Sequence, residues 1–290
     1  MNPERDDFYR IDPKGKLWRG DLELDDESYI DYFFKQLQEN STGRNADHAF
    51  ISRLGAETAF LKADDTPVVF KTLTENQLFY TENLSVEFHP AELRFSEDGV
   101  LYHPAPIGSF GKIASQLVMQ LGENIRPWGP YFAFKRAEDK CEYIIEPLIK
   151  KENCTLLKPR PENRCAGCGG ANPNGLCLSF LYDESLKTVQ SWMIPDARLE
   201  GAMGWMHGGY VSLLLDEVMG KVLSVQQIKA ATAQLNVRFR KPVLLHKEIE
   251  LRGFMEKQNG RKNFLKGEIR DAETGVILAE ADALFISVAK

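Results

Sequence analysis

Apolar residues recur at helical spacing between Tyr210 and Ser224, a segment that contains no proline. At about 100° per residue these positions fall on a single stripe. The stripe consists of Val211, Leu214, Leu215, Val218 and Val222. This pattern predicts a long amphipathic helix with one buried face.

Strand-like patterns follow the predicted helix. Four segments, 231–240, 247–257, 261–270 and 276–288, are rich in residues that favour strands. Asn259-Gly260 separates the second from the third, and Thr274-Gly275 the third from the fourth; such pairs are strong hairpin signals. Two further runs, 176–182 and 188–194, form a predicted hairpin before the helix. The C-terminal half is therefore predicted to be one helix with an antiparallel sheet.

The N-terminal half has its own pattern of short elements. Residues 8–18 predict a hairpin around a Pro-Lys-Gly turn. Asp25 or Asp26 can cap a helix that runs to about Gln38, and residues 113–121 predict a second helix. Short strands are predicted around them. We therefore predict an α+β domain over 1–150, a charged, proline-containing linker over 151–164, and a second α+β domain over 165–290.

Composition and charge limit the classes of function. A length of 290 residues fits two domains, and a net charge of −6 argues against nucleic acid as the main partner. No segment approaches the 18 apolar residues that a membrane helix needs, so no membrane span is expected. The N-terminus has no hydrophobic region typical of a signal peptide. We expect a cytoplasmic protein.

The chain has five cysteines, which we interpret as reduced thiols. Cys165 and Cys168 form a CxxC, which could be half of a zinc site with Cys154 and Cys177 as further ligands. A second CxxC is absent, and a tight turn with neighbouring glycines explains the motif equally well. We expect no bound metal.

The predicted helix begins directly after Gly208-Gly209. Helix N-termini carry unpaired N–H groups, and glycines let a ligand oxygen approach them. Asp216 lies off the apolar stripe beside small residues, so it is expected in a groove where it could activate water or attack a carbonyl. Glu217 is expected on a solvated face, within reach of Lys221. An ordinary loop and a solvated acid remain the alternative.

Several blocks of the C-terminal half occur in the order seen in a known family. They are Cys165-Ala166-Gly167-Cys168-Gly169, His207-Gly208-Gly209, Leu214-Leu215-Asp216-Glu217, Thr232 to Pro242 and Ala279-Glu280-Ala281. Over residues 160–288 the chain resembles the hotdog-fold acyl-CoA thioesterases of the phenylacetate-degradation (PaaI-like) type. The resemblance implies a long central helix wrapped by a curved antiparallel sheet. Residues 8–125 are similar to a small, largely eukaryotic family of uncharacterised function, which implies no site.

The thioesterase resemblance implies roles for residues at the matching positions. Asp216 is expected as nucleophile or general base, with the amide of Gly208 or Gly209 as oxyanion donor. His207 is expected to position the loop, with a role as catalytic base as the lesser alternative. Thr232 is expected to place a hydroxyl near the attacking water, although a strand residue explains Thr232 equally well. Some relatives carry Asn where this chain has Gly201.

Substrate contacts are expected on two sides of this site. Arg238, Arg240 and Lys241 could meet CoA phosphates, or form a solvated strand face. Trp205, Met206 and Tyr210 could line an apolar acyl pocket. The same three residues could equally belong to the hydrophobic core.

The resemblance also implies an assembly. We expect a homodimer or a dimer of dimers in which different subunits supply Asp216 and Gly208, and no cofactor beyond the coenzyme A of the substrate. The alternative is a non-catalytic acyl-CoA sensor or scaffold. A dehydratase or isomerase is a weaker possibility, because its His or Glu motifs are not found.

Overall fold

The computed structural model describes residues 5–288 and divides the chain into two compact units. The first unit comprises the chain up to Arg126 together with Ile145–Ile149, and the second comprises Pro127–Ile144 together with the chain from Lys150 onward. The sequence-based division placed all of 1–150 in one domain. In the structure, residues 127–144 group with the C-terminal unit instead.

The first unit is built from short strands and two helices. Its helices are α1 (Glu27–Lys35) and α2 (Ser115–Gly122), with a 3₁₀ turn at Pro90–Glu92. Its strands are β1 (Arg5–Ile11), β2 (Leu17–Arg19), β3 (Leu22–Leu24), β4 (Leu37–Glu39), β5 (Phe50–Leu54), β6 (Glu57–Ala63), β7 (Val69–Phe70), β8 (Thr72–Thr74), β9 (Gln77–Phe79), β10 (Ser85–Glu87), β11 (Arg94–Phe95), β12 (Leu101–Pro104) and β13 (Phe110–Ile113).

These strands form a sheet in the order β3-β2-β1-β6-β5-β4, a small sheet β10-β9-β8, and a third group β11-β12-β13-β7. The predicted hairpin is present as β1 and β2. Asp26 caps α1 by accepting a hydrogen bond from the N–H of Tyr29 at 3.0 Å. The helix ends at Lys35, earlier than predicted, because β4 starts at Leu37.

The second unit contains one long helix and a large sheet. Three strands lie where the chain passes between the units: β14 (Ile125–Trp128), β15 (Tyr131–Phe134) and β16 (Tyr143–Pro147). The remaining elements are β17 (Cys154–Leu157), β18 (Phe180–Asp183), β19 (Thr188–Met193), a 3₁₀ turn at Ala197–Leu199, α3 (Gly208–Val225), β20 (Ala230–Phe239), β21 (Ile249–Asn259), β22 (Lys262–Asp271) and β23 (Ile277–Ser287).

The sheet of this unit has seven strands in the order β17-β18-β19-β21-β22-β23-β20, and every neighbouring pair is antiparallel. Helix α3 contacts all strands from β18 to β23, so the sheet wraps around it. The predicted stripe is buried in the shared core. The α+β class and the wrapped helix expected for the C-terminal half are therefore confirmed.

Two facing glycines let the sheet approach the helix. Gly253 of β21 and Gly267 of β22 lie directly opposite each other. A Cβ on Gly253 would lie 2.7 Å from the carbonyl oxygen of Val218, which is helix backbone. A Cβ on Gly267 would instead meet the side chains of Leu215 and Met219 at 3.2 Å. At Gly253, therefore, strand and helix backbones are in direct contact.

Two features of the second unit differ from the expectations. Residues 154–157 of the segment predicted as a linker form β17, which pairs with β18 and extends the sheet. The interpretation of all cysteines as reduced is wrong, because Cys141 and Cys177 are joined by a disulfide. They are 36 residues apart in sequence, but the fold brings their Cα atoms to 5.3 Å, a spacing that a disulfide spans.

Within residues 5–288, no helix combines the length and the apolar character that crossing a membrane requires.

Candidate active site

The N-terminus of α3 is capped by a histidine. His207 occupies the N-cap position, and its Nδ1 accepts a hydrogen bond from the N–H of Gly209 at 2.9 Å. Because Nδ1 is the acceptor, the ring proton of a neutral His207 lies on Nε2. Among residues 5–288, no group accepts a hydrogen bond from the N–H of Gly208. Of the two glycine amides, the one at Gly208 is therefore available at the positive end of the helix.

Asp216 lies two turns further along α3 and is half-buried. The hydroxyl of Thr232, on β20, donates a hydrogen bond to its Oδ1 at 2.8 Å. Burial raises the pKa of the Asp216 carboxyl, the hydrogen bond from Thr232 lowers it, and the negative charge of Glu217 raises it. The structure thus brings Asp216 and Thr232 together and leaves the second carboxylate oxygen as an acceptor for a water or a substrate atom.

Gly201 allows the loop before α3 to pass close to His207. A Cβ at this position would lie 2.7 Å from the Cα of His207, and the N–H of Gly201 donates to the carbonyl of Trp205 at 2.8 Å. A side chain cannot enter this space unless the loop moves. The Asn that some relatives place here therefore does not fit this backbone.

A pocket of about 330 Å³ lies beside the start of α3. It is lined by Trp205, Met206, Gly208, Val211, Phe239, Arg240, Lys241, Pro242 and Val243. The structure thus brings five of the predicted site residues, Gly208 among them, together at the start of α3. Tyr210 packs against the core instead, and Asp216 is outside this pocket. Phe239, whose exposed ring also lines this pocket, was not predicted as a site residue, because a phenylalanine is common in strands.

The arginines predicted to meet phosphates are engaged in ion pairs. Arg238 contacts Glu280 at 3.0 Å and Asp282 at 2.6 Å, and Arg240 contacts Glu280. Two positive and two negative charges cancel on this face. In the part of the chain that the structure describes, Lys241 forms no ion pair, so it is the uncompensated cation of the predicted group.

Glu217 is not on a solvated face, contrary to expectation. Its side chain is 15% exposed and pairs with Lys221 at 3.2 Å, so the predicted i,i+4 contact is present. The Sγ of Cys165 donates to its Oε2 at 3.2 Å. Within residues 5–288, one group of His, Cys, Asp or Glu side chains converges closely enough to hold a metal ion, namely Cys165, Cys168 and Glu217. The CxxC motif indicated Cys165 and Cys168 as possible metal ligands, but nothing in the sequence placed Glu217 beside them.

Each half of the chain matches a known protein family. The family described as a domain of unknown function (DUF4505) matches residues 2–142, and the thioesterase superfamily matches residues 203–278. An acyl-coenzyme A thioesterase THEM4 from Bos taurus is 32% identical over 215 residues, which cover 71% of this chain and 87% of the relative. The chain belongs to the thioesterase superfamily. The resemblances to thioesterases and to a family of uncharacterised function are therefore confirmed, as is the expected enzyme class, thioester hydrolase, at the level of the family.

Other members of the thioesterase superfamily are more distant. The mouse acyl-coenzyme A thioesterase THEM4 is 28% identical over 114 residues, and this chain spans 49% of its length. A thioesterase superfamily protein of known crystal structure is 27% identical in sequence, with a TM-score of 0.41, and the match covers 43% of this chain and 60% of that one. A protein from Streptococcus pneumoniae, described as a hypothetical thioesterase and crystallised with coenzyme A, is 19% identical, with a TM-score of 0.34, over 36% of this chain and 82% of that one.

Proposed function

We propose that the second unit hydrolyses acyl-CoA thioesters, with Asp216 as nucleophile or general base. The observation that carries the proposal is the half-buried Asp216 carboxylate on α3, held by the Thr232 hydroxyl at 2.8 Å. As general base, Asp216 takes a proton from a water that attacks the thioester carbonyl carbon. The water oxygen bonds to that carbon, the C–S bond then breaks, and Asp216 returns the proton to the leaving thiolate, so the products are a carboxylic acid and the thiol of coenzyme A.

The amide of Gly208 is suited to stabilise the oxyanion of this reaction. The Gly209 amide is engaged by His207, so the positioning role expected for His207 fits its place as the helix cap. Preorganised backbone N–H groups at a helix start stabilise charge that develops in the transition state. We therefore assign oxyanion stabilisation to the amide of Gly208 rather than to that of Gly209.

The proposed roles of Gly208 and Asp216 call for a second copy of the chain. Gly208 and Asp216 are eight residues apart, so their backbones are separated by about 12 Å along the helix axis. One thioester carbon cannot contact both groups of one chain. Strand β20 lies at the sheet edge, and most of its side chains are exposed. Such an edge can pair with another strand. We therefore assign the functional unit to a homodimer or a dimer of dimers.

The assay that tests this function is direct. Purified protein is incubated with straight-chain and aromatic acyl-CoAs, and free coenzyme A is measured by chromatography. Thiol-reactive dyes are avoided because Cys154, Cys165 and Cys168 are free. We expect release of coenzyme A from at least one class of acyl-CoA. Binding of acyl-CoAs without any release would refute the proposal.

That refuting result would favour an acyl-CoA sensor or scaffold, the second candidate function. Its support is Gly201, where the close approach of His207 leaves no room for the amide side chain that some relatives carry. A sensor is stabilised thermally by a bound acyl-CoA without consuming it. The cytoplasmic location stays a prediction for either function.

Lys241 is expected to bind the phosphates of coenzyme A. It lines the pocket beside Gly208, whereas Arg238 and Arg240 are neutralised by acids. Lys241→Ala should raise KM for acyl-CoA about tenfold and leave kcat unchanged, because a charge-assisted hydrogen bond is lost. Lys229→Ala, which removes an exposed lysine outside the pocket, is the matched control. Equal KM values for both variants would contradict this assignment.

A further inference from the structure

Two thiols and a carboxylate meet beside α3, outside the residues assigned to hydrolysis. The ligand atoms of Cys165, Cys168 and Glu217, here named the Cys–Glu cluster, all lie within 4.8 Å of one another. Around a tetrahedral zinc ion, with Zn–S and Zn–O bonds of about 2.3 and 2.1 Å, ligand atoms are separated by roughly 3.5–4 Å. Small side-chain rotations therefore suffice to bring all three atoms onto one ion.

The loop that carries the two thiols is held in place by local hydrogen bonds. The N–H of Gly169 donates to the carbonyl of Cys165 at 3.0 Å, and the N–H of Cys165 donates to the Asn163 side chain at 3.0 Å. A Cβ on Gly167 would lie 2.7 Å from the Cγ of Glu217. Glycine at this position is what allows the loop to lie against the carboxylate. The cluster is therefore built by the fold before any ligand binds.

The charges in the cluster favour a divalent cation. Lys221 pairs with Glu217 at 3.2 Å, and its Nζ donates to the Sγ of Cys168 at 2.8 Å. With both thiols ionised, the three ligands carry three negative charges and Lys221 supplies one positive charge. A divalent ion brings the sum to zero. Lys221 can keep its hydrogen bond to a metal-bound sulfur, as outer partners of metal ligands commonly do.

We propose that Cys165, Cys168 and Glu217 form a zinc site, with Lys221 as a hydrogen-bond donor to the sulfur of Cys168. Thiolate ligands select Zn²⁺ over Mg²⁺ and Ca²⁺, which prefer oxygen alone. Three protein ligands leave the fourth tetrahedral position to water. The ion ties the loop around Gly167 to α3 at the residue next to Asp216. This assignment is independent of the proposed hydrolysis.

The site is tested with Co²⁺, whose tetrahedral thiolate complexes absorb in the near ultraviolet and visible range. The full chain is treated with chelator and reductant, exchanged into metal-free buffer without oxygen, and titrated with Co²⁺ and then with Zn²⁺. We expect a thiolate-to-Co²⁺ band that saturates at one ion per chain and disappears when Zn²⁺ displaces Co²⁺. Zn²⁺ should also raise the Tm, by an amount that increases with the logarithm of the free Zn²⁺ concentration once that concentration exceeds the Kd. Absence of the band in the wild-type chain would overturn the proposal.

Single substitutions test which side chains bind the metal ion. Cys165→Ser and Cys168→Ser should each weaken the band and the affinity for Zn²⁺ by more than tenfold, whereas Cys154→Ser, a free cysteine on β17, should leave both unchanged. Glu217→Gln keeps both thiols and the size of the side chain, and it should still lower the affinity. Lys221→Met should lower it about 10–100-fold, as expected for an outer partner. An unchanged band in Cys165→Ser, or a Cys165–Cys168 disulfide that resists the reductant, would contradict the assignment.

Discussion

Replacing Asp216 with asparagine should lower kcat for acyl-CoA hydrolysis by about 10²–10⁴-fold, the usual effect of removing a general base. Asparagine has nearly the same shape and can still contact the Thr232 hydroxyl, so the loss reports on the missing charge and proton acceptor. The measurement is release of coenzyme A under saturating substrate. Thermal stabilisation by acyl-CoA should be retained, because the pocket beside Gly208 does not include Asp216.

The controls for this prediction separate charge from position. Thr232→Ser keeps the hydroxyl and should retain most of the activity, whereas Thr232→Val removes it and should cost about tenfold, the value of one hydrogen bond to a charged group. Glu273→Gln removes an exposed carboxylate on the turn after β22 and should have no effect. An Asp216→Asn variant as active as the wild type would remove the basis of the proposed function.

The Gly253→Ala variant should lose about 2–3 kcal/mol of the free energy of unfolding, because the added methyl group meets helix backbone at Val218. Backbone in a packed helix cannot move without shifting its neighbours. Gly267→Ala places the same methyl group on the directly opposed residue, where it meets the flexible side chains of Leu215 and Met219. That variant should lose less than about 1 kcal/mol, because side chains can rotate away and alanine restricts the unfolded chain.

Denaturant unfolding of both variants measures the difference. The two substitutions are chemically identical and lie on paired strands, so the unfolded state affects them equally. Equal losses would mean that α3 moves as freely as its side chains. The larger loss at Gly253 would show that the contact between strand and helix backbones is rigid.

Local signals predicted most of the second unit. The stripe from Val211 to Val222 predicted the buried face of α3, and the Asn259-Gly260 pair predicted the turn between β21 and β22. Both features could be predicted because they depend on residues close in sequence. The family resemblance placed a Thr232 hydroxyl near the attacking water, and in the structure that hydroxyl contacts the Asp216 carboxylate.

Contacts between distant segments were not predictable in the same way. Glu217 was expected in solvent because its helical position is off the apolar stripe, but the loop from Cys165 to Cys168 covers it. From the sequence, Arg238 and Arg240 could form a phosphate-binding face. In the structure, both arginines form ion pairs with acidic residues of β23, namely Glu280 and Asp282. Spacing along one strand or helix says nothing about what the neighbouring element contributes, so these interpretations depended on the fold.

The way the chain passes between the two units limits how they can be separated. Because residues 127–144 belong to the second unit and 145–149 to the first, the backbone changes unit three times. No single truncation point leaves either half with its full set of strands. A fragment starting at residue 165 lacks β17 and leaves Cys177 without its bonded partner Cys141. Excision of an intact second unit therefore requires retaining 127–144 and bridging over 145–149.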